Sequence, residues 1–504
     1  MASVASVRRV RLRRWVAHAR RGVLHAQRAI GHAVGRPAKS ELRELRTETG
    51  GATSTLRELV VLAWPIAAAM LSETLLGLVD TKLVGSLGAS ALGGVGVAAM
   101  LMYLNYSTIF GVMRAVKVRT SFAVGEGRPA DGVRYAASGA VMGAVFGVAV
   151  WALARDVSGL LGLLQIDPQI VPYARDYLAA VTYGAPATCA LAALVNHRQA
   201  LGDTRTPMAV GMIANAINAV LSFGLIYGHF GLPRLGVAGA GFGTASVQWF
   251  QLVALSGFLA RDLRRARAHA PLLRYRAAVR EVLSVGIPSG LHFGGECLAF
   301  TAFTAVLGSI GGAEMAAHQI AMATIRTSFL PGVAVGEASC ILVGRALGAR
   351  RIDRADRANR AALATAATFM AACGIVFGFF GAAIARVFTS DSDVVRIATR
   401  LLIVAALFQV LDAFNVVLRG SLRGAADVRM TAVLGIAITW TCVPTAAYFL
   451  GRVAGWGALG GWCGFLAETI LSSILFARRW SHGAWRKPYE TQAAPAEVPL
   501  DAAA

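Results

Sequence analysis

The chain has 504 residues, of which 56% are hydrophobic and 15% charged, and its formal net charge is +22. An average soluble domain carries about 25% charged residues, so the composition argues against a soluble fold. The positive charge does not indicate nucleic-acid binding either, because the arginines cluster between apolar stretches, as membrane topology requires.

Twelve apolar stretches follow one another along the chain, and a membrane-spanning helix needs about 20 such residues. They cover residues 58–82, 91–122, 134–154, 170–196, 207–228, 236–260, 283–307, 316–342, 361–386, 396–418, 430–450 and 457–477. The pattern predicts twelve transmembrane helices.

Charge predicts the orientation of these helices. Alternate connections are basic, above all segments 261–280, 345–360 and 419–429, whereas the opposite connections are short and poor in positive charge. Basic connections stay on the cytoplasmic side of a membrane. We therefore expect a multi-pass protein of the bacterial inner (plasma) membrane with both termini in the cytoplasm.

An internal repeat divides the twelve stretches into two sets of six. Five landmarks recur at a constant step, 288 − 65 = 223 residues: Pro65 as Pro288, Glu73 as Glu296, Gly85–Gly88 as Gly308–Gly311, Gly125 as Gly348 and Arg134 as Arg357. Six spans return the chain to its starting side, so the second set enters the membrane in the same direction as the first. The two sets are then related by an axis along the membrane normal, a layout that transporters use.

The predicted fold is therefore all-α, a polytopic membrane protein with 12 transmembrane helices in two pseudo-symmetric six-helix lobes. We place the N-lobe at residues 55–260 and the C-lobe at 283–480, joined by a basic cytoplasmic linker at 261–282. Residues 481–504 are expected to be a cytoplasmic tail. Residues 1–54 are a basic cytoplasmic extension, for which an amphipathic segment on the membrane surface and a disordered tail both remain open.

Several short motifs, each weak alone, occur together and in order: Val79–Gly85, Gly202–Met208, Gly286–Gly290 with Glu296, Ala316–Ile320 and Asp412–Gly424. In this combination the chain resembles the multidrug and toxic compound extrusion (MATE) family, and its NorM-like branch in particular. The resemblance implies a transporter, not an enzyme, that exports drug-like and often cationic organic compounds as two lobes alternate access. It implies antiport coupled to H⁺ or Na⁺, no cofactor, a small-molecule substrate, contact with membrane lipids, no nucleic-acid partner and a monomer.

Carboxylates at membrane depth are costly, which makes them functional candidates. Asp80 lies near the outer end of the first span, and the resemblance implies that it is the coupling carboxylate of the N-lobe. The resemblance also implies polar neighbours from the fifth and sixth spans, namely Asn218, Ser222 and Thr244. The branch more often has Asn where Ser222 stands. A water-exposed helix end for Asp80, and interhelical hydrogen bonds for the other three, are the structural alternatives.

Glu296 and Asp412 lie well inside the seventh and tenth spans, and the resemblance pairs them in a C-lobe cavity. Two carboxylates in one site could share a proton or a sodium ion and attract a cationic substrate. A structural pairing with Arg326 or another buried base is the alternative. We expect no metal site beyond a sodium ion at the coupling carboxylates.

Glu73, Arg114 and Gln319 are weaker candidates. Glu73 stands where NorM-like proteins usually have Gln, and Arg114 lies in a span at a position that is usually apolar or small. By helical rise both are about 15–22 Å from the cytoplasmic end, so one option is an ion pair between them. The other is a cross-lobe pair of Arg114 with Glu337, its equivalent in the repeat. We hypothesise that these charges shift substrate preference toward zwitterions or anions, against the alternative that they only fix helix register.

The main alternative function is a flippase for lipids or lipid-linked precursors from the same superfamily. Such proteins share the two-lobe plan, and a strongly cationic cavity would favour this activity. Lys82, Arg114, Lys117 and Arg326 are the bases that keep the alternative open. A nucleotide-driven pump is not expected, because the chain has no GxxxxGK[ST] phosphate loop. For Gln319, at the start of the eighth span, core packing and substrate contact both remain open.

Overall fold

The computed structural model describes residues 52–154, 166–269 and 274–490, and these residues form helices joined by short turns, without a strand among them. The predicted all-α class is confirmed. In chain order the helices are α1 Ala52–Gly85, α2 Ala89–Gly125, α3 Pro129–Leu153, α4 Val171–Ala200 with a 3₁₀ turn at Thr182–Gly184, α5 Arg205–Tyr227, α6 Val237–His269, α7 Tyr275–Gly308, α8 Gly312–Gly348, α9 Ile352–Phe388, α10 Ser392–Gly424, α11 Val428–Val453 with a π-helical end at Ala447–Val453, α12 Gly457–His482 and the short α13 Lys487–Glu490.

Eleven helices in the described part of the chain are long and apolar enough to cross a membrane. The sixth predicted span corresponds to α6, which is 33 residues long but is not among the eleven, since Gln248, Gln251 and several glycines dilute its apolar residues. It nevertheless packs against α4 and α5 in the same way as its apolar counterpart in the second half, α12, packs against α10 and α11. The chain is therefore a multi-pass membrane protein in which one of the twelve long helices, α6, is less apolar than predicted.

Several helices extend beyond the predicted spans, and in one case the difference matters for function. The sequence placed residues 419–429 in a connection, but α10 continues to Gly424 and carries Arg419 and Arg423 into the bundle. That prediction was wrong because arginines at the end of an apolar span are typical of a cytoplasmic connection, whereas these two lie on a helix that continues into the bundle. Both side chains are paired with acidic residues on α7 and α8, which lets them lie inside the protein.

The tail predicted at 481–504 is partly packed. α12 continues to His482, and Trp485 is only 3% exposed and stacks on Trp480. In α13, Tyr489 stacks on Phe122 of α2. Residues 1–51 and 491–504 lie outside the described residues, and the predictions for them stay predictions.

The two halves of the chain repeat the same helix packing. In the first half α1 packs on α5, α5 on α6, α6 on α4, and α4 on both α2 and α3; in the second half the same contacts join α7 to α11, α11 to α12, α12 to α10, and α10 to both α8 and α9. This correspondence confirms the two pseudo-symmetric six-helix lobes.

The hydrophobic cores do not respect the boundary between the lobes. At the end of the bundle where α1 begins, which we call the basic end, Leu59 and Leu62 of α1 belong to a core cluster of the C-lobe. Conversely, Val282 and Val285 of α7 belong to a core cluster of the N-lobe. Each lobe therefore holds the first turns of the other lobe's first helix, and the two are tied together at the basic end.

The cleft between α2 and α8 is closed at the basic end. A side chain on Gly125 of α2 would collide with the carbonyl oxygen of Arg345, and one on Gly348 of α8 with that of Phe122. These contacts are equivalent in the repeat, since 345 − 122 = 223, and glycine alone allows helix backbones to approach so closely. Farther along, the two helices are not in such contact: Gly96 of α2 has no heavy atom within 4 Å of an added Cβ, and Tyr103 of α2 and Arg326 of α8 are exposed. We call this the open end of the cleft.

Candidate functional site

The structure brings together the four N-lobe residues that the sequence indicated. Asp80 comes from α1, Asn218 and Ser222 from α5, and Thr244 from α6. Asn218 and Ser222 are four residues apart and therefore share a helix face; both are fully buried. Asp80 lies beside Asn218 and is itself only partly exposed. We call this group the N-lobe polar pocket.

Two polar atoms in the N-lobe polar pocket have no hydrogen-bond partner among the described residues. They are Oδ1 of Asp80 and Nδ2 of Asn218, and both are buried. Ser222 donates to Oδ1 of Asn218 at 3.0 Å, which fixes the amide and leaves its nitrogen for the Asp80 side. An unsatisfied buried polar atom costs about 1–3 kcal/mol. A proton on Asp80, or a small cation beside it, would relieve the cost at the carboxylate oxygen, whereas the amide nitrogen of Asn218 is a donor and needs an acceptor.

Tyr177 of α4 also belongs to the pocket, which sequence reasoning missed. It packs against a core cluster that includes Val84 of α1 and Ala240 of α6, and it lies beside Thr244 and within electrostatic range of Asp80. Gly243 explains how α6 comes so close to α5, because a Cβ there would stand 2.6 Å from Oγ of Ser222 and 3.2 Å from Oδ1 of Asn218. A polar aromatic residue inside an apolar span could have flagged Tyr177, but nothing in the sequence tied it to Asp80.

In the C-lobe, Glu296 is neutralised by a base. Nη1 of Arg419 donates to Oε1 of Glu296 at 2.5 Å, and Nε2 of His292 lies 3.4 Å from the same oxygen. The other arm of Arg419 donates to Oδ1 of Asn415 at 2.8 Å. The structural alternative of a buried base is therefore realised, and the base is Arg419, not Arg326.

Asp412 and Glu296 do not form the expected carboxylate pair. Asp412 is 9% exposed, makes no hydrogen bond to any described side chain, and its charged neighbours are Glu468 and Arg419. Glu468 accepts hydrogen bonds from Ser472 at 2.8 Å and from Asn415 at 3.5 Å. Glu468 was missed, although an acidic residue inside an apolar span is a candidate by default.

A third charged group joins the two lobes at the bottom of the cleft. Glu337 of α8 lies 2.5 Å from Nζ of Lys117, 2.7 Å from Nη2 of Arg423 and 3.8 Å from Nε of Arg114. The predicted Glu73–Arg114 pair is not formed; of the two options, the structure has the cross-lobe pair. Glu73 is exposed and has no ion pair or hydrogen bond within the described ranges.

At the start of α8, the candidate Gln319 and its neighbour His318 have different surroundings. His318 is buried, and its Nδ1 accepts a hydrogen bond from Nε1 of Trp462 at 3.2 Å, so it is a core residue. Gln319 is exposed on the face of α8 that also carries Arg326. Among the described residues no group of three or more His, Cys, Asp or Glu side chains could hold a metal ion.

Comparison with known proteins gives the same family twice within the chain. The MatE family model matches residues 65–223 and again residues 288–447, and the two matches begin 288 − 65 = 223 residues apart, the step of the internal repeat. The chain is similar to a probable multidrug resistance protein NorM of Pseudomonas aeruginosa, with 32% identity over 429 residues, 83% of this chain and 88% of that protein. It is 29% identical to the multidrug resistance protein PmpM of the same species, over 86% of this chain and 92% of the relative.

Solved structures with the same fold include the eukaryotic MATE transporter AtDTX14, with a TM-score of 0.76, 21% identity and coverage of 88% of this chain and 99% of that one. The MATE transporter VcmN of Vibrio cholerae in its bent form superimposes with a TM-score of 0.75 and 19% identity, over 88% of this chain and 98% of that one. These relatives are transporters and not enzymes. The chain belongs to the MatE family of multidrug efflux transporters.

Proposed function

We propose that the chain is a secondary active antiporter that exports drug-like organic compounds, often cationic, in exchange for H⁺ or Na⁺. The observation that carries this proposal is the N-lobe polar pocket, where a buried oxygen of Asp80 has no partner beside an equally unpartnered amide of Asn218. A group in this state gains from binding a proton or a sodium ion and can lose it again. The relatives' names as multidrug resistance proteins support the substrate class.

The placement of α1 suggests how ion binding reaches the cleft. Its first turns are held in a core cluster of the C-lobe through Leu59 and Leu62, while Asp80 lies at its far end in the N-lobe. Pro65 stands between these two parts, and a proline inside a helix removes a hydrogen bond and permits a bend. Loading or unloading Asp80 would thus change the strain on a helix that both lobes share.

The two C-lobe acids, Glu296 and Asp412, have different roles in this proposal. Glu296 has a matched counter-charge in Arg419, so exchanging an ion there requires breaking a strong pair. Asp412 has no hydrogen bond in the described structure and is the C-lobe carboxylate that we propose for cation attraction or a second coupling step. Both remain in the proposed ion and substrate path.

The proposed setting is the bacterial plasma membrane, with a monomer whose lobes lie at residues 55–260 and 283–480. Most of the predicted linker at 261–282 is helical, since α6 continues to His269 and α7 begins at Tyr275. The basic end carries these two helix ends and the turn at 349–351, and the positive-inside rule predicts that it lies in the cytoplasm together with both termini. The cleft would then be open to the outside in the conformation described here, ready to release substrate and take up the coupling ion.

Transport into vesicles tests the proposal. Purified protein in liposomes should move ethidium when a proton or a sodium gradient is imposed separately, and one of the two gradients should suffice. The Asp80→Asn variant should elute from a size-exclusion column as a single species at the wild-type position, which shows that it folds. It should not transport ethidium under either gradient. Movement of a labelled phospholipid without any gradient, and no movement of ethidium, would instead support the flippase and overturn the antiporter.

A further inference from the structure

The cleft faces of α2 and α8 carry equivalent residues. On α8, Arg326 and Glu337 are eleven residues apart, which is three helical turns and places them on one face. On α2, Tyr103 and Arg114 have the same spacing, and 326 − 103 and 337 − 114 both equal 223. Because Arg114 and Glu337 meet across the cleft at 3.8 Å, Tyr103 and Arg326 line the same cleft, about 16 Å nearer its open end.

Bases outnumber acids at the bottom of this cleft. The single carboxylate of Glu337 is shared by Lys117, Arg423 and Arg114, and Arg114 is the most distant of the three. The two closer bases already surround the carboxylate with positive charge. Arg114 also keeps 26% of its side chain exposed, so its guanidinium can still bind a ligand from the cleft.

Arg326 has no counter-charge in the described part of the protein. It is exposed on the cleft face of α8, and no ion pair or hydrogen bond joins it to any described residue. An arginine at membrane depth is expensive unless it faces water or an anion, and such residues mark substrate pathways. With Arg114 it leaves the cleft wall positively charged.

Aromatic rings stand beside both arginines. The guanidinium of Arg114 lies 4.6 Å from the ring centre of Phe293 on α7. Tyr103 is 56% exposed and lies within electrostatic range of Arg114 and Arg326. An arginine fork binds a carboxylate or a sulfonate with two parallel hydrogen bonds, while an adjacent ring can stack on a flat apolar body.

We propose that Arg326 and Arg114 bind the acidic group of the transported compound, so that the chain exports aromatic amphiphiles that carry a carboxylate or a sulfonate. The inference rests on the proposed efflux function and narrows its substrate class. The substrate could also carry a basic group, because Glu73 of α1 is exposed and forms no ion pair or hydrogen bond with any described residue. Compounds that are only cationic would be handled less well than those that also carry an acid.

A matched pair of dyes tests the proposal on the full chain in liposomes. Rhodamine B carries a free carboxylate, and rhodamine B ethyl ester is the same dye with that group blocked. Under the gradient that drives ethidium, wild type should transport the free acid. Arg326→Gln should lower transport of the free acid about tenfold and leave the ester within about twofold, since one charge-assisted hydrogen-bonding partner is lost. Arg326→Lys keeps the charge but not the two parallel donors, so its transport of the free acid should fall between that of wild type and that of Arg326→Gln.

Arg386→Gln is the matched control, because it removes the same charge from an exposed position near the end of α9, outside the faces of α2 and α8. It should affect neither dye. Equal loss of both dyes in Arg326→Gln, or wild type that moves ethidium and the ester but not the free acid, would overturn this inference and leave the antiporter standing. If no compound moves under any gradient, the proposed function fails, and fluorescence anisotropy of the free acid on detergent-purified wild type and Arg326→Gln still decides whether the arginine binds it.

Discussion

Asp80 in the N-lobe and Phe303 in the C-lobe occupy the same position of the repeat, since 303 − 80 = 223, but their surroundings differ in kind. Asp80 faces Asn218 and Tyr177. Phe303 is 1% exposed and packs on the rings of Phe465, at 4.6 Å, and His318, at 5.3 Å. One lobe therefore keeps a polar pocket where the other has filled the same place with aromatic rings.

The acids of the two lobes differ in their counter-charges as well. Glu73 and Glu296 are also equivalent in the repeat, yet Glu73 has no ion pair in the described structure, whereas Glu296 is held by Arg419 at 2.5 Å. A carboxylate that exchanges ions must be able to change its charge, and a matched base opposes that change. The comparison teaches that two positions equivalent in the repeat can carry the same acid in different states, with Glu73 lacking a counter-charge among the described residues and Glu296 held by one.

The largest effect is expected at the acid that distinguishes the lobes. Asp80→Asn should reduce gradient-driven ethidium transport to the level of empty liposomes, because an amide cannot gain or lose the charge that couples the ion. Asp393→Asn, an exposed acid in the first turn of α10, is the control and should transport normally. Coupled transport that survives in Asp80→Asn would place ion exchange outside the N-lobe polar pocket.

In the C-lobe the same kind of substitution should act on stability. Glu296→Gln leaves Arg419 without its carboxylate, and breaking a buried pair in this way costs about 3–5 kcal/mol. The unfolding temperature of the purified protein in detergent should therefore be lower than that of wild type. The double variant Glu296→Gln with Arg419→Met should recover most of that loss. If Glu296→Gln unfolds like wild type but loses coupling, Glu296 is an exchanging acid and the contrast between the lobes is broken.

Two glycines on α6 and α12, the counterpart helices of the two lobes, sharpen the comparison at a smaller scale. A Cβ on Gly243 would stand 2.6 Å from Oγ of Ser222, inside the polar pocket, whereas one on Gly464 would stand 2.6 Å from the backbone oxygen of Cys442. Gly243→Ala should weaken coupling about tenfold, measured as the ion gradient needed for half-maximal transport, since it displaces a site group. Gly464→Ala should instead lower stability by about 1–3 kcal/mol and keep coupling. If both variants lost coupling and stability to the same extent, the surroundings of Gly243 and Gly464 would not differ in function.

Much of the architecture could be predicted from the sequence, because apolar length and an exact repeat step are local, countable signals. The six-helix lobes and the Arg114–Glu337 option followed from such signals, whereas the N-lobe polar pocket was implied by the resemblance to the MATE family. The positions of Arg419 and Arg423 did not, since an arginine run next to a span is typical of a cytoplasmic connection. Their acidic partners on α7 and α8 hold them inside the bundle, and those partners are distant in the chain.

The same limit explains the missed members of the sites. Glu468 could have been found by the rule that an ionisable residue in a span is a candidate. Tyr177 could not, because tyrosines are common in membrane helices and its place in the pocket depends on how α4 packs on α6. The Glu73–Arg114 pair failed for a related reason: equal depth in the membrane is necessary for a contact but says nothing about which faces meet.

Tyr177 gives the smallest predicted effect and the finest probe of the N-lobe polar pocket. Tyr177→Phe removes one hydroxyl next to Asp80 and Thr244 and keeps the ring that fills the space. A neutral hydrogen-bonding group is worth about 0.5–1.5 kcal/mol, so ion-coupled transport should fall about two- to tenfold while stability in detergent stays near that of wild type. Tyr183→Phe, an exposed tyrosine farther along α4 whose ring stacks on Phe242, should change neither property. An unchanged ion dependence in Tyr177→Phe would mean that this hydroxyl takes no part in the exchange, and that Asp80 and Asn218 hold the ion without help from α4.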